Sequence, residues 1–364
     1  MIENKLTFFL SSVMGGGAER VFITIANDFA SKGMNVDLVL VNGKGPYLEE
    51  ISELVNIVDF SCKQTYSSIK QLTLYLNNIK PNVFFSTQMH TNVVALLAMM
   101  ISRHKPMVIL REANAVEAYR SGFKNRIVLL LAKFLYKKAD KIIALHEAMK
   151  QEIINVFQIR DEKITVINNP VSIEKIGKLS KEESQVKSFT GGDKFILGIG
   201  RLDHQKDFKT LILAFDMVYK EFNNIKLVIL GEGILFSEIK NQIEKLGLSN
   251  QVILPGFVQN PFPWIKSAEM LVSTSKFEGF PNVLIQALAL DVSVIATNCP
   301  GASAEILEYG KLGTLIAIGD VNGLAKAIIT NLTAKKDSLF SARLESSISK
   351  YNVENISTQY YSLF

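Results

Sequence analysis

Cysteine is scarce. The chain has two, Cys62 and Cys299, far apart and without metal-ligand spacing, which reads as two free thiols in a reducing cytoplasm rather than a disulfide framework. No stretch of about 18 residues is both apolar and free of charge, so no membrane-spanning segment is expected. A secretory leader is not expected either: Met1 to Ser11 lacks a basic start and a long apolar run, and LTFFL is of strand length. Excess charge is small. The formal +5 sits entirely in the first half, where Lys and Arg number 20 against 15 acids through Pro170, while the remainder carries 20 against 20. That is too little for strong nucleic-acid binding, and no aromatic–basic pattern accompanies it. An anionic membrane surface or a pyrophosphate-bearing substrate suits it better. What is plentiful is apolar material: 48% hydrophobic against 21% charged over 364 residues. That excludes disorder and is enough for two cores, and the length favours two domains.

Strand-length apolar runs recur along the first half at Leu6–Val13, Val36–Val41, Asn56–Phe60, Val83–Thr87, Met107–Arg111, Lys141–Leu145 and Ile164–Ile167. Helical segments separate most of them, the pattern of a parallel sheet with crossover helices. Asn168-Asn169-Pro170-Val171 breaks the series, since a residue before proline leaves helical space. A charged, Ser/Gly-containing stretch then runs to Gly192. Strands resume at Phe195–Gly200, Lys226–Leu230, Val252–Leu254, Met270–Ser273, Val292–Thr297 and Thr314–Ile318. The expected organisation is a first domain over 1–170, a linker over 171–192 and a second α/β domain over 193–345. No sequence repeat joins the halves.

Ligands of such sheets gather at the carboxyl ends of the strands, and the polar residues are placed accordingly. In the first half, Gly15-Gly16-Gly17 precedes a helix whose Phe22, Ile25, Ala26 and Phe29 share one face. Glycines let a backbone come close to phosphate. Arg20 stands where a dinucleotide fingerprint needs its third glycine, and Val36–Val41 ends in Asn42 rather than an acid, so a dehydrogenase loses its support. Glu19 reads as a solvated first-turn charge. His90 and the run Arg111-Glu112 with Asn114 lie just past two further strand ends; a lone histidine there is more often structural than functional. In the second half, Arg201 and Lys206 follow a strand and precede a helix; they are either two surface basic residues or, since two cations beside a helix start can neutralise a diphosphate, a phosphate site. No Asp-x-Asp occurs in the chain, so the acidic pair that often holds a metal on nucleotide phosphates is missing and protein cations must meet that charge. Gly231 and Gly233 flank Glu232 after another strand. Leu271–Thr274, the turn Ser275–Asn282 and an apolar helix follow; by spacing this is either an ordinary strand–turn–helix joint with a surface glutamate or a turn that puts Glu278 and Gln286 within reach of one ligand at a helix start.

The run Glu278-Gly279-Phe280-Pro281-Asn282-Val283-Leu284-Ile285-Gln286-Ala287-Leu288-Ala289 resembles the E-G-x-P-x-x-x-x-E-A-x-A signature of retaining nucleotide-sugar transferases, glycosyltransferase family 4. It departs from it at Gln286, where the family usually has a second glutamate. GGGAER and Gly200-Arg201-Leu202 with Lys206 resemble further stretches of that family. The resemblance implies a GT-B fold: two Rossmann-like domains whose parallel sheets face across a cleft, with 346–364 crossing back to pack on the first. It also implies a UDP-linked donor, retention of anomeric configuration, and neither metal nor cofactor. Glu278 would hold the donor sugar's hydroxyls and Gln286 the ribose, an amide there keeping an acceptor oxygen but losing the charge. Gly16, Gly17, Gly231, Gly233, Phe257, Gly279, Phe280, Asn282 and Val283 would line the donor, the nucleobase lying near Phe257. His90 would sit by the donor sugar and diphosphate, and Arg201, Lys206, Glu278 and His90 would carry catalysis. Arg111, Glu112 and Asn114 would lie on the acceptor side.

Between Phe123 and Lys141, Arg126, Lys133, Lys137 and Lys141 fall near one helical face, and Ile127, Leu131, Phe134 and Leu135 near another. Such a helix either packs on the sheet with a solvated basic face or rests on anionic lipid. Family members that use polyprenyl-diphosphate sugars dock on the inner leaflet through the first domain. The resemblance thus implies a cytoplasmic, peripheral membrane enzyme adding a hexose or N-acetylhexosamine to a lipid-linked glycan of bacterial surface polysaccharide, O-antigen or capsule. A UDP-sugar epimerase on the same architecture and a non-catalytic nucleotide-sugar-binding protein stay open as rivals.

Overall fold

The computed structural model describes residues 5–14, 17–114, 116–119, 122–183, 185–334 and 340–364. The chain forms two compact units, Met1–Pro170 with Tyr351–Phe364, and Val171–Lys350.

The first unit is built on β1 (Lys5–Leu10), β2 (Asn35–Leu40), β3 (Asn56–Asp59), β4 (Val83–Thr87), β5 (Met107–Arg111), β6 (Lys141–Ala144) and β7 (Ile164–Val166). They lie in the order β3-β2-β1-β4-β5-β6-β7, every pair parallel, with Leu6 opposite Val36 on one side and Val83 on the other. The inner strands of such a sheet are buried on both faces, which is why β1 reads as a nearly unbroken apolar run, while the edge strand β3 is mostly exposed. Phe8 stacks on Phe85 with ring centroids 4.7 Å apart and takes Phe22 edge-on at 5.2 Å. Phe22 belongs to the helix Gly17–Ser31, which buries the expected Ile25, Ala26 and Phe29 against the sheet. The C-terminal helix Val353–Tyr361 joins the same core through Ile356 and Tyr360. Phe364 beyond it meets Phe29 at 6.2 Å and Phe85 at 5.9 Å.

The second unit holds β8 (Lys194–Ile199), β9 (Ile225–Leu230), β10 (Val252–Gly256), β11 (Met270–Ser273), β12 (Ser293–Thr297) and β13 (Thr314–Ile316), ordered β10-β9-β8-β11-β12-β13 and again parallel throughout. In each sheet the chain reverses its direction of travel beside the first strand, between β1 and β4 and between β8 and β11. Loops splay apart at such a switch point and leave room for a ligand. Within 171–192, read as a linker, the short helices Ile173–Leu179 and Val186–Thr190 belong to this unit. Asn260 Nδ2 donates to Leu179 O at 3.0 Å.

The helix Phe123–Leu135 departs from the packed alternative. Of its residues only Ala132 and Leu135 are buried, whereas Phe123 is 81% and Phe134 68% exposed and Ile127, Leu130 and Leu131 are exposed as well. Most of the apolar stripe expected against the sheet faces outward instead. No helix among the described residues is long and apolar enough to cross a membrane.

Candidate active site

In the second unit the polar residues converge where β8, β9, β11 and β12 end. Asp203 Oδ1 accepts from the backbone N–H of Gln205 at 3.0 Å and of Lys206 at 3.1 Å, an Asx turn that folds the chain back on itself after β8. Lys206 Nζ then meets Glu278 Oε1 at 2.5 Å. The same carboxylate oxygen accepts from Ser275 Oγ at 2.6 Å, and Oε2 from Gln205 Nε2 at 3.5 Å. Glu278 is 6% exposed, and a carboxylate so deep needs partners of this kind. Its backbone is pinned too: Glu278 N–H donates to Pro300 O at 2.8 Å. Gly301 lies so close, at φ +130°, that a Cβ there would sit 2.3 Å from Glu278 O. Gly231 does the same service after β9. Its φ is +137° and a Cβ would fall 1.9 Å from Gly200 O, while its N–H donates to Gly256 O at 2.8 Å. The loops after β8, β9 and β10 are thereby tied together, and those after β8, β11 and β12 likewise.

Arg201 is held differently. Its side chain is 76% exposed, and its ion-pair partner is Asp203 at 3.4 Å, a loose contact that leaves most of the guanidinium in solvent. Gly279 is partly buried, Phe280 is buried, and Asn282 and Val283, half-buried, open the helix Asn282–Ala289. Gln286 is half-buried one turn further on. Phe257, after β10, is 69% exposed and edges a hollow of about 220 Å³ lined also by Phe189, Pro255 and Trp264. Gly233 closes against Leu202 O.

The first unit has its own cluster past β4 and β5. His90, in the first turn of the helix Met89–Ile101, is half-buried, and burial lowers its imidazole pKa. Arg111 and Glu112 are 1% and 0% exposed. Arg111 Nη1 donates to Thr87 Oγ1 at 2.9 Å and Nη2 to Asn169 Oδ1 at 2.5 Å. Glu112 Oε1 accepts from Tyr136 Oη and from Asn92 Nδ2. Burial is the largest influence on this carboxyl and pushes its pKa up to about 7. Both side chains are sealed within the unit, and of the three expected on the acceptor side only Asn114 is exposed. Gly17 opens the helix Gly17–Ser31 and is exposed; Gly16 lies outside the described residues. Glu19 corrects the solvated reading: it is 7% exposed, with Gln88 Nε2 on its Oε1 at 3.4 Å. His146 serves as a helix cap, its Nδ1 accepting from Met149 N–H at 3.2 Å.

Sequence reading overlooked Ser275, Gln205, Asp203, Asn92 and Tyr136. Asp203 had a signal, an aspartate two residues before Gln205 in a turn. Asn92 and Tyr136 had none, since 44 residues separate them and only the fold brings their side chains to 3.1 Å.

Two parallel α/β units with polar loops at their carboxyl ends define the GT-B class. The Anabaena protein HepE in complex with UDP superposes with a TM-score of 0.80 over 98% of either chain at 22% identity. The family model described as glycosyltransferase family 4 matches residues 15–175, and that of glycosyl transferases group 1 residues 180–346. A Campylobacter jejuni N-acetylgalactosamine-N,N'-diacetylbacillosaminyl-diphospho-undecaprenol 4-alpha-N-acetylgalactosaminyltransferase is 31% identical over 91% of both chains. A Staphylococcus aureus capsular polysaccharide biosynthesis glycosyltransferase is 26% identical over 82% of this chain and 80% of its own. The chain belongs to glycosyltransferase family 4.

Proposed function

We propose that the protein moves a hexose or N-acetylhexosamine from a UDP-sugar to a hydroxyl of a lipid-linked glycan in bacterial surface-polysaccharide synthesis, with retention at the anomeric carbon. The observation that carries this reading is the Lys206–Glu278 pair at the strand ends of the second unit, its carboxylate buried and its lysine on the loop that also bears the exposed guanidinium of Arg201. The names of the relatives, which include a diphospho-undecaprenol acceptor and capsular polysaccharide, support the acceptor class. Glu278 takes the donor sugar's hydroxyls. Arg201 and Lys206 meet the diphosphate without a metal, in keeping with the missing Asp-x-Asp. The C1–O bond to the diphosphate breaks and the bond from C1 to the acceptor oxygen forms on the same face. The acceptor's proton passes to the leaving diphosphate oxygen, so no protein nucleophile is required. Cations fixed beside that oxygen stabilise the charge as it develops.

Two measurements test this. UDP-sugars that bind the native state must raise its melting temperature. Arg201→Ala and Lys206→Ala should each lower kcat by about 10²-fold or more, without a change on adding EDTA to the wild type. Full turnover in both variants sinks the assignment. The same assay with donor alone separates transfer from epimerisation, which would consume no acceptor.

A further inference from the structure

Gln88 is the residue in the first unit whose conformation demands a reason. It links β4 to the helix Met89–Ile101 at φ 72° and ψ 133°, a region that side-chain-bearing residues rarely enter and glycine enters freely. Such strain persists only where neighbours over-determine it, and it concentrates at functional sites. Here the neighbours are explicit. Gln88 N–H donates to Arg111 O at 3.3 Å, and Gln88 O accepts from Asn92 N–H at 2.9 Å. Asn92 Nδ2 donates in turn to Arg111 O at 3.2 Å and to Glu112 Oε1 at 3.1 Å. Arg111 Nη1 reaches back to Thr87. Four buried residues therefore clamp one half-exposed residue in an unfavourable backbone state.

The side chain so presented is poorly occupied. Ser11 Oγ donates to Gln88 Oε1 at 3.5 Å and Gln88 Nε2 donates to Glu19 Oε1 at 3.4 Å, both at the far limit for a hydrogen bond. Glu19 Oε2 is buried and has no partner among the described residues. Amide, carboxylate and hydroxyl thus collect at the carboxyl ends of β1 and β4 with bonding capacity in reserve, beside the half-buried His90. An amide offers both an acceptor and donors, the complement of neighbouring sugar hydroxyls.

We propose that Gln88 binds the hydroxyls of the acceptor sugar, and that the Asn92–Arg111–Glu112 clamp holds it in its strained backbone to do so. The inference rests on the acceptor reading of the first unit given above.

The test separates strain from contact. Gln88→Gly removes both the side chain and the strain, while Gln88→Ala removes the side chain alone. Methyl glycosides of glucose, galactose, N-acetylglucosamine and N-acetylgalactosamine serve as probes, followed by saturation-transfer NMR. The wild type should bind at least one of them. Both variants should bind it roughly five- to twentyfold more weakly, the loss expected for one or two hydrogen bonds, and the glycine variant should melt above the alanine variant. Undiminished glycoside binding in the variants, an alanine variant as stable as the glycine one, or a wild type that binds none of the four overturns the proposal. UDP stabilisation is read separately in all three proteins. Its absence from the wild type would strike the nucleotide-sugar reading, whereas its presence with intact glycoside binding in the variants would strike only Gln88.

Discussion

Glu112 and Glu278 are both buried carboxylates, and their surroundings give them different tasks. Glu278 sits against an ammonium at 2.5 Å and a hydroxyl at 2.6 Å, so removing Lys206 leaves the carboxylate without its counter-charge in the interior, whereas removing the Ser275 hydroxyl costs it one neutral donor. Glu112 has neutral donors on one oxygen, and its other oxygen has no partner among the described residues. Its raised pKa has a consequence for stability. Below about 4.5 the carboxyl is protonated in folded and unfolded chains alike; between about 4.5 and about 7 the unfolded chain gives up the proton while the folded one keeps it. Its contribution to stability is therefore present at low pH and lost as pH rises towards 7. Thermal melts from pH 5 to 8 should show Glu112→Gln losing this downward slope, an effect on the order of a few kcal/mol across the window. A variant that keeps the wild-type slope would assign it to another group.

Among the elements, the helix Phe123–Leu135 shows where periodicity stops being informative. Spacing located an amphipathic helix and its two faces, but the same stripe satisfies a core and a lipid surface equally well. Phe123 and Phe134 are exposed alongside Lys124, Arg126 and Lys133, the placement that a lipid-facing helix requires. Phe123→Ser with Phe134→Ser should lower flotation with phosphatidylglycerol vesicles by about tenfold or more and leave UDP stabilisation unchanged; equal flotation would exclude a lipid contact through this helix. The inner strands were legible because a buried parallel strand is a largely apolar run and needs no partner to be recognised; the exposed edge strand β3 was legible by its length and its place in the alternation of strands and helices. The turn carrying Glu278 was legible through its Gly and Pro. The Asn92–Tyr136 contact was not, because nothing local in either segment records the other.

Across the whole molecule, the first unit is discontinuous: the chain leaves it at Pro170 and returns at Tyr351. Its core includes Ile356 and Tyr360, both 0% exposed, and burying two such side chains is worth roughly 3–6 kcal/mol. A chain ending at residue 350 should lose that and expose Phe29 and Phe85. Urea denaturation should show an early transition for the first unit with the UDP-dependent shift of the second retained. Unchanged unfolding of the truncated chain would deny the C-terminal helix a structural role. By itself the sequence determined the α/β class, the alternation of strands and helices and the loops that bear glycine and charge, because each is written within a dozen neighbouring residues. Only the tertiary structure decided which side chains those loops bring together. Lys206 finds Glu278 across 72 residues, Glu112 is withdrawn from water, and Gln88 is bent into a backbone state its own sequence disfavours. Contacts at that separation depend on how the sheets order their strands, and no local pattern encodes that order.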